Sequence, residues 1–208
     1  MIRSTAMTEH YFSEKPSVPF RKESFVARIF DGEDITIQSG SGIFSLKELD
    51  FGTKLLIAHA KIPKTSCTVL DLGCGYGIVG IALKKHYPQI ILTMSDINER
   101  AVQCAAENVK TNNTDATVLK SDMFSHPELQ QKTFDVILTN PPFSAGKKVC
   151  IAFIRQSAMH LNKNGLFQLV APHNKGGESL KRIMLEVFGN AGELVKKSGF
   201  RVYISIKK

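Results

Sequence analysis

Downstream of Thr68, short apolar runs alternate with longer stretches in which apolar residues recur at three- and four-residue intervals. The runs Thr68–Asp71, Ile90–Ser95, Ala116–Lys120, Phe134–Thr139 and Leu166–Val170 read as strands. The stretches Ile78–His86, Glu99–Asn112, Lys147–Leu161 and Glu178–Phe188 read as helices, with a shorter helix expected near Pro127–Gln131. Such alternation predicts parallel strands joined by right-handed helical crossovers, an α/β fold. The last two runs, Ala191–Lys196 and Phe200–Ile206, are separated only by Lys197-Ser198-Gly199. That connection is too short for a crossover and predicts an antiparallel hairpin.

Upstream, Phe25–Phe30 and Ile35–Gln38 alternate apolar and polar residues about Asp31-Gly32-Glu33, which predicts a β-hairpin. Gly40–Ser45 reads as a loop and Gly52–Ala60 as a short helix with one apolar side. Met1–Lys22 has no period and is expected to cross the surface as an arm. The chain therefore divides into 1–60, an arm, hairpin and short helix, and 61–208, the alternating domain.

Composition changes this picture little. With 208 residues, 43% hydrophobic and 22% charged, the chain suits one well-buried domain plus an extension. No apolar run approaches the roughly 20 residues of a membrane span, and Met1–His10 is too polar for a signal peptide, so a cytoplasmic protein is expected. Cys67, Cys74, Cys104 and Cys150 show neither C-x-x-C spacing nor paired histidines, which leaves buried thiols and no metal site as the reading. The net charge of +8 is unevenly placed: residues 141–208 hold twelve Lys/Arg and three Asp/Glu, against six and eight in residues 68–140. A basic C-terminal third suits a polyanion such as RNA, and equally a solvated surface.

The chemistry begins at Val69–Gly80. Val69-Leu70-Asp71-Leu72 leads into Gly73-Cys74-Gly75-Tyr76-Gly77 and then at once into a helical pattern. Glycines at 73, 75 and 77 allow left-handed backbone and let a ligand lie directly on the chain. Gly75, Gly77 and Gly80, with Asp96 further on, also satisfy the G-x-G-x-x-G spacing of dinucleotide sites. Asp71 tilts the choice, because a carboxylate at the strand end repels a pyrophosphate and attracts the ammonium and sulfonium of S-adenosylmethionine. The D-x-G-x-G-x-G arrangement resembles the first motif of the class I methyltransferases. That resemblance implies a Rossmann-like fold, a mostly parallel seven-stranded sheet ending in an antiparallel hairpin, here with a small N-terminal β-hairpin extension.

Ligands of open parallel sheets lie beyond the carboxyl ends of the strands. Asp96, in Met94-Ser95-Asp96-Ile97-Asn98, ends the second strand. It can accept the ribose hydroxyls of adenosine or cap the following helix, with Asn98 taking the other task. The fourth strand ends in Asn140-Pro141-Pro142-Phe143. The prolines stiffen this segment and donate no backbone hydrogen bonds, so its carbonyls are expected to stay unengaged. Asn140 Oδ1 and the Pro141 carbonyl can then accept both N–H bonds of a conjugated, poorly nucleophilic amine and aim its nitrogen at a sulfonium methyl. Phe143 can stack on the planar substrate, and Pro142 can support it.

The N-P-P-F segment is similar to those of methyltransferases acting on guanine N2 in RNA, adenine N6 in nucleic acid and glutamine amides in protein. The wider chain, through Gly42-Ile43-Phe44-Ser45, Leu49-Asp50-Phe51-Gly52-Thr53 and Leu55-Leu56, resembles the small-subunit ribosomal RNA guanine-N2 methyltransferases. The likeness continues through Gly165–Val170 and Phe200–Tyr203. It implies methyl transfer from S-adenosylmethionine to guanine N2, with ribosomal RNA or a small-subunit particle as partner. The alternatives are a glutamine-amide or adenine-N6 methyltransferase, a non-catalytic RNA-binding assembly factor and a nicotinamide oxidoreductase.

The same resemblance implies a lid from Phe44, Ser45 and Thr53 over the methionine end of the cofactor, Thr53 being equally suited to helix capping. It places Asp122 on the adenine amine, with Met123 offering its N–H and Ile97 packing on the ring. Lys147 and Lys148, then Lys175, Lys181 and Arg182, are implied as phosphate contacts around a flipped base. His173 and Asn174 are expected either in the substrate pocket or at the next helix start. Two features differ from the family pattern. Ser144-Ala145 stands where a histidine is common, and larger members carry an additional, degenerate methyltransferase-like N-terminal domain where only the short extension exists here.

Overall fold

The strands expected from Thr68 onward are β3 (Thr68–Leu72), β4 (Ile91–Asp96), β5 (Thr117–Lys120), β6 (Phe134–Thr139) and β7 (Leu161–Pro172), all parallel. The structure, a computed structural model, describes residues 14, 19–30, 32–43 and 48–208. The terminal strands β8 (Gly192–Lys197) and β9 (Phe200–Ile206) form the expected antiparallel hairpin. It joins the sheet by its second strand, giving the seven-stranded order β5-β4-β3-β6-β7-β9-β8. Ahead of the sheet stand β1 (Lys22–Ile29), β2 (Glu33–Gly40) and α1 (Phe51–His59). The hairpin thus falls where the alternation placed it, although Asp31 of its turn, Phe44 and Ser45, and most of the N-terminal arm lie outside the described residues.

Successive strand residues face opposite cores, as the two-residue period requires. Val69, Val136, Leu138 and Val202 pack with α1, α2 (Ile78–His86) and α3 (Glu99–Thr111). Leu70, Ile137, Phe167 and Leu169 pack with α4 (Pro127–Gln130), α5 (Lys147–Met159) and α6 (Gly177–Phe188). Because both faces are covered, the central strands read as unbroken apolar runs rather than alternations.

The strand that departs furthest from its expected span is β7. β7 begins at Leu161 rather than Leu166, because Leu161 already pairs with Phe134 before the register shifts between Phe134 and Val136. Gly165 closes that irregularity, where a Cβ would lie 2.8 Å from the Asn162 carbonyl oxygen. The helix before it accordingly ends at Met159 instead of Leu161.

A buried polar tie anchors α1 to the sheet. Gln168 of β7, fully buried, accepts from the Lys61 amide at 2.7 Å and donates to the Lys61 carbonyl at 2.9 Å. Gln168→Leu keeps the volume but strands both backbone groups. It should lower unfolding free energy in urea by about 1–3 kcal/mol.

Candidate active site

The chain order along the sheet reverses between β3 and β6, and a cavity of about 810 Å³ opens beyond the carboxyl ends of these strands. That is where a ligand is expected in an open α/β sheet, and the volume falls within the roughly 300–1,000 Å³ of small-molecule sites.

Its floor is the glycine turn between β3 and α2. Gly73, Gly75 and Gly77 adopt φ of 73°, 56° and 87°, all left-handed. The turn is folded back onto β4: Gly73 and Cys74 donate to the Ser95 carbonyl at 2.8 and 2.9 Å, and Gly75 donates to Asp96 Oδ2 at 2.8 Å. A Cβ on Gly75 would meet nothing within 4 Å, so this residue borders open cavity. A Cβ on Gly77 would press on Ala105 and Met94, and Gly77 does not border the cavity. The shared spacing thus hides two tasks, clearance for a ligand at 75 and packing against α3 and β4 at 77.

Two carboxylates stand beside the turn. Asp71 is 2% exposed and accepts from the Gly80 amide at 2.9 Å, capping a helix whose N-cap, Gly77, has no side chain. Burial pushes its carboxyl up to about 7; the Gly80 N–H opposes this and the charge of Asp96 adds to it. Asp96 is also raised by burial, against the backbone N–H groups of Asn98, Gly75 and Ile97. A cavity whose acids are held reluctantly as anions suits a cationic ligand. Cys74 lies between them, its thiol raised well above the ordinary value by burial and by Asp71 and Asp96, which removes it as a nucleophile. At the end of β4, Asn98 caps α3 through the Arg100 and Ala101 amides, while Asp96 lines the cavity.

The roof is Asn140-Pro141-Pro142-Phe143, all lining the cavity. Asn140 Nδ2 donates to Thr53 Oγ1 at 2.9 Å, and Thr53 is held in the first turn of α1, where its amide donates to Asp50 Oδ1 at 3.1 Å. The Asn140 amide is therefore oriented from α1, and its Oδ1 makes no hydrogen bond among the described residues. The expectation of unengaged carbonyls needs correction. The turn Phe143–Ala145 takes the Pro142 carbonyl with the Ala145 amide at 2.9 Å and the Phe143 carbonyl with the Gly146 amide at 3.1 Å. Backbone curling into this 3-10 turn leaves Pro141 as the proline whose carbonyl accepts nothing from the described residues.

Thr53, Asp71, Gly73, Gly75, Asp96, Ile97, Asp122, Met123 and Asn140 through Phe143 thus share one cavity. Lys147 and Lys148 do not line it; they are exposed on the first turn of α5, next to the roof. His173 and Asn174 do not line it either, and His173 Nδ1 instead meets the Tyr203 hydroxyl at 2.8 Å. Sequence reasoning assigned no site role to Phe51, Pro172 and Phe200, which form a wall of the cavity with the two aromatic rings 5.6 Å apart. That wall exists because β9, rather than β8, pairs with β7. Among the described residues no group of three or more His, Cys, Asp or Glu could hold a metal, and no helix is long and apolar enough to cross a membrane.

The methyltransferase small domain family model matches residues 34–204. The Bacillus subtilis protein YbxB, described as uncharacterized, is 41% identical over 203 residues, covering 97% of this chain and all of that one. Ribosomal RNA small subunit methyltransferase C of Actinobacillus pleuropneumoniae is 33% identical over 198 residues, covering 93% of this chain and 58% of that one. Among solved structures, the T. thermophilus 16S rRNA N2 G1207 methyltransferase, in complex with AdoMet and guanosine, superimposes with a TM-score of 0.77 at 28% identity. That match covers 93% of this chain and 52% of the other, so the chain spans little more than half the length of the ribosomal RNA methyltransferases it matches.

Proposed function

Given that the chain belongs to the methyltransferase small domain family, we propose that it methylates the exocyclic N2 amine of a guanine in RNA, with ribosomal RNA as the substrate class. The observation that carries this reading is the Asn140 amide, tethered through Nδ2 to Thr53 so that Oδ1, beside the Pro141 carbonyl, is left as an acceptor on the cavity. Relatives that act on ribosomal RNA, and a related structure holding both AdoMet and guanosine, support the same assignment.

S-adenosylmethionine would supply a methyl group on a positively charged sulfur. For the cofactor, Asp71 offers negative charge, Asp96 offers acceptors for ribose hydroxyls, and Ile97, Asp122 and Met123 receive the adenine. For the substrate, Asn140 Oδ1 and the Pro141 carbonyl take the two N–H bonds of the amine. The nitrogen is thereby aimed rather than activated by a strong base, which suits an amine whose lone pair is delocalised. Phe143, half-buried at the cavity, offers a face for the base, worth roughly 1–3 kcal/mol of stacking.

Charge favours RNA over a protein glutamine. From Pro141 to Gly177 there is no carboxylate, while Lys147, Lys148, Arg155, Lys163 and Lys175 are present. All five are exposed, and none enters an ion pair among the described residues. If Lys147 and Lys148 contact phosphates, replacing both by glutamine should flatten the slope of log affinity against log salt by about 1.4 for a single-stranded RNA. The same exchange at Lys85 and Lys110, on the opposite helical layer, should leave the slope unchanged. Incubation with radiolabelled cofactor and total RNA, then digestion to nucleosides, should yield N2-methylguanosine. Label confined to protein would overturn the substrate assignment.

A further inference from the structure

The β1–β2 hairpin meets the cofactor turn through a ring contact from Phe25 and through one buried amide on α3 that joins the two. β2 lies along α3 with its outer backbone edge toward Asn108 and Asn112, residues one helical turn apart. Asn112 Oδ1 accepts from the Thr36 amide at 3.1 Å and its Nδ2 donates to the Thr36 carbonyl at 2.8 Å. Asn108 repeats the clasp two residues along the strand, at 2.7 Å with the Gln38 amide and 2.8 Å with the Gln38 carbonyl. The second N–H of each amide differs. That of Asn112 returns to the Asn108 carbonyl within its own helix, whereas that of Asn108 donates to the Tyr76 carbonyl at 2.9 Å.

The Tyr76 carbonyl belongs to the peptide that Gly77 follows. With glycine on its far side, this peptide could rotate without a Cβ clash, so its orientation must be held by bonds. Among the described residues, the Gly77 amide donates to the Cys74 carbonyl at 2.9 Å and Asn108 takes the carbonyl end. Asn108 is fully buried, and its three partners admit a single amide orientation, one acceptor for Gln38 N–H and two donors for carbonyls. Phe25 of β1 adds an edge-on contact with the Tyr76 ring at 5.9 Å. We infer that Asn108 is a positioning residue, coupling the N-terminal hairpin to the Tyr76–Gly77 peptide and so to the affinity of the glycine turn for S-adenosylmethionine. The inference rests on the cavity being the cofactor site.

Asn112 provides a matched control, since it clasps the same strand without touching the turn. Calorimetric titration of the full chain with S-adenosylmethionine should show Asn108→Ala weakened by about tenfold or more and Asn112→Ala by about twofold or less. Equal weakening of the two, or none in either, overturns the coupling while leaving the cofactor site intact. Failure of the unmutated chain to bind S-adenosylmethionine would instead remove the reading beneath it. Should Asn108→Ala not fold, the unmutated chain carries the test by reciprocity. Saturating cofactor should slow hydrogen exchange of the Gln38 amide about threefold or more beyond its effect on the Thr36 amide, and equal slowing overturns the proposal.

Discussion

Asn140→Ala should lower single-turnover methylation of RNA by about 10²–10³-fold, the range seen when one preorganised hydrogen-bonding group is removed from a transition state. S-adenosylmethionine affinity should change little. The substitution removes the Oδ1 acceptor and leaves Thr53 Oγ1 without its donor, but the glycine turn and both carboxylates are untouched. Thr53→Val tests the tether separately: the asparagine stays while the bond fixing its amide is lost, so turnover should fall with Asn140 still present, and Thr53→Ser should restore it. Unchanged turnover in Asn140→Ala would remove this residue from the chemistry.

Cofactor affinity should fall as the medium is acidified below about pH 7. Burial raises the Asp71 carboxyl to about 7, so below that value a cation must first displace a proton. Binding should weaken about tenfold for each unit below this value, the usual consequence of competition with one proton. Asp71→Asn removes the charge but keeps an acceptor for the Gly80 amide. It should remove the step in affinity near pH 7 and, at the upper end of a range from 5 to 7.5, weaken binding by about 2–4 kcal/mol, the scale of a close charge pair at partial burial. Titration calorimetry of both proteins across that range measures the effect; a flat profile in the unmutated chain would overturn it. For the protein without cofactor the sign is opposite. The unfolded carboxyl ionises near its ordinary 3.8 and the folded one near 7. Between those values the folded state holds the extra proton, so stability from this group is present in acid and lost as pH rises.

The legible parts of this chain are those where short-range chemistry restricts the backbone. The Gly73, Gly75 and Gly77 turn could be placed because only glycine accepts left-handed φ so readily, and Asn140-Pro141-Pro142 because proline fixes its own φ and that of its predecessor. Strands and crossovers followed from periodicity, which the covered parallel sheet turns into plain apolar runs. The same local logic overreached at Pro142 and Phe143. It treated the whole segment as open acceptors and missed the turn that closes their carbonyls.

By itself, then, the order of residues determined an α/β sheet with a glycine turn after its first parallel strand and a stiff asparagine after its fourth. Tertiary structure alone decided which of those groups are free to act. Thr53 reaches Asn140 across 87 positions, Asn108 reaches Tyr76 across 32, and Phe51 meets Phe200 only because β9 is threaded between β7 and β8. Such contacts leave no periodic trace. A buried amide or hydroxyl is chosen for one partner brought near by topology, and no neighbour along the chain is constrained by the choice.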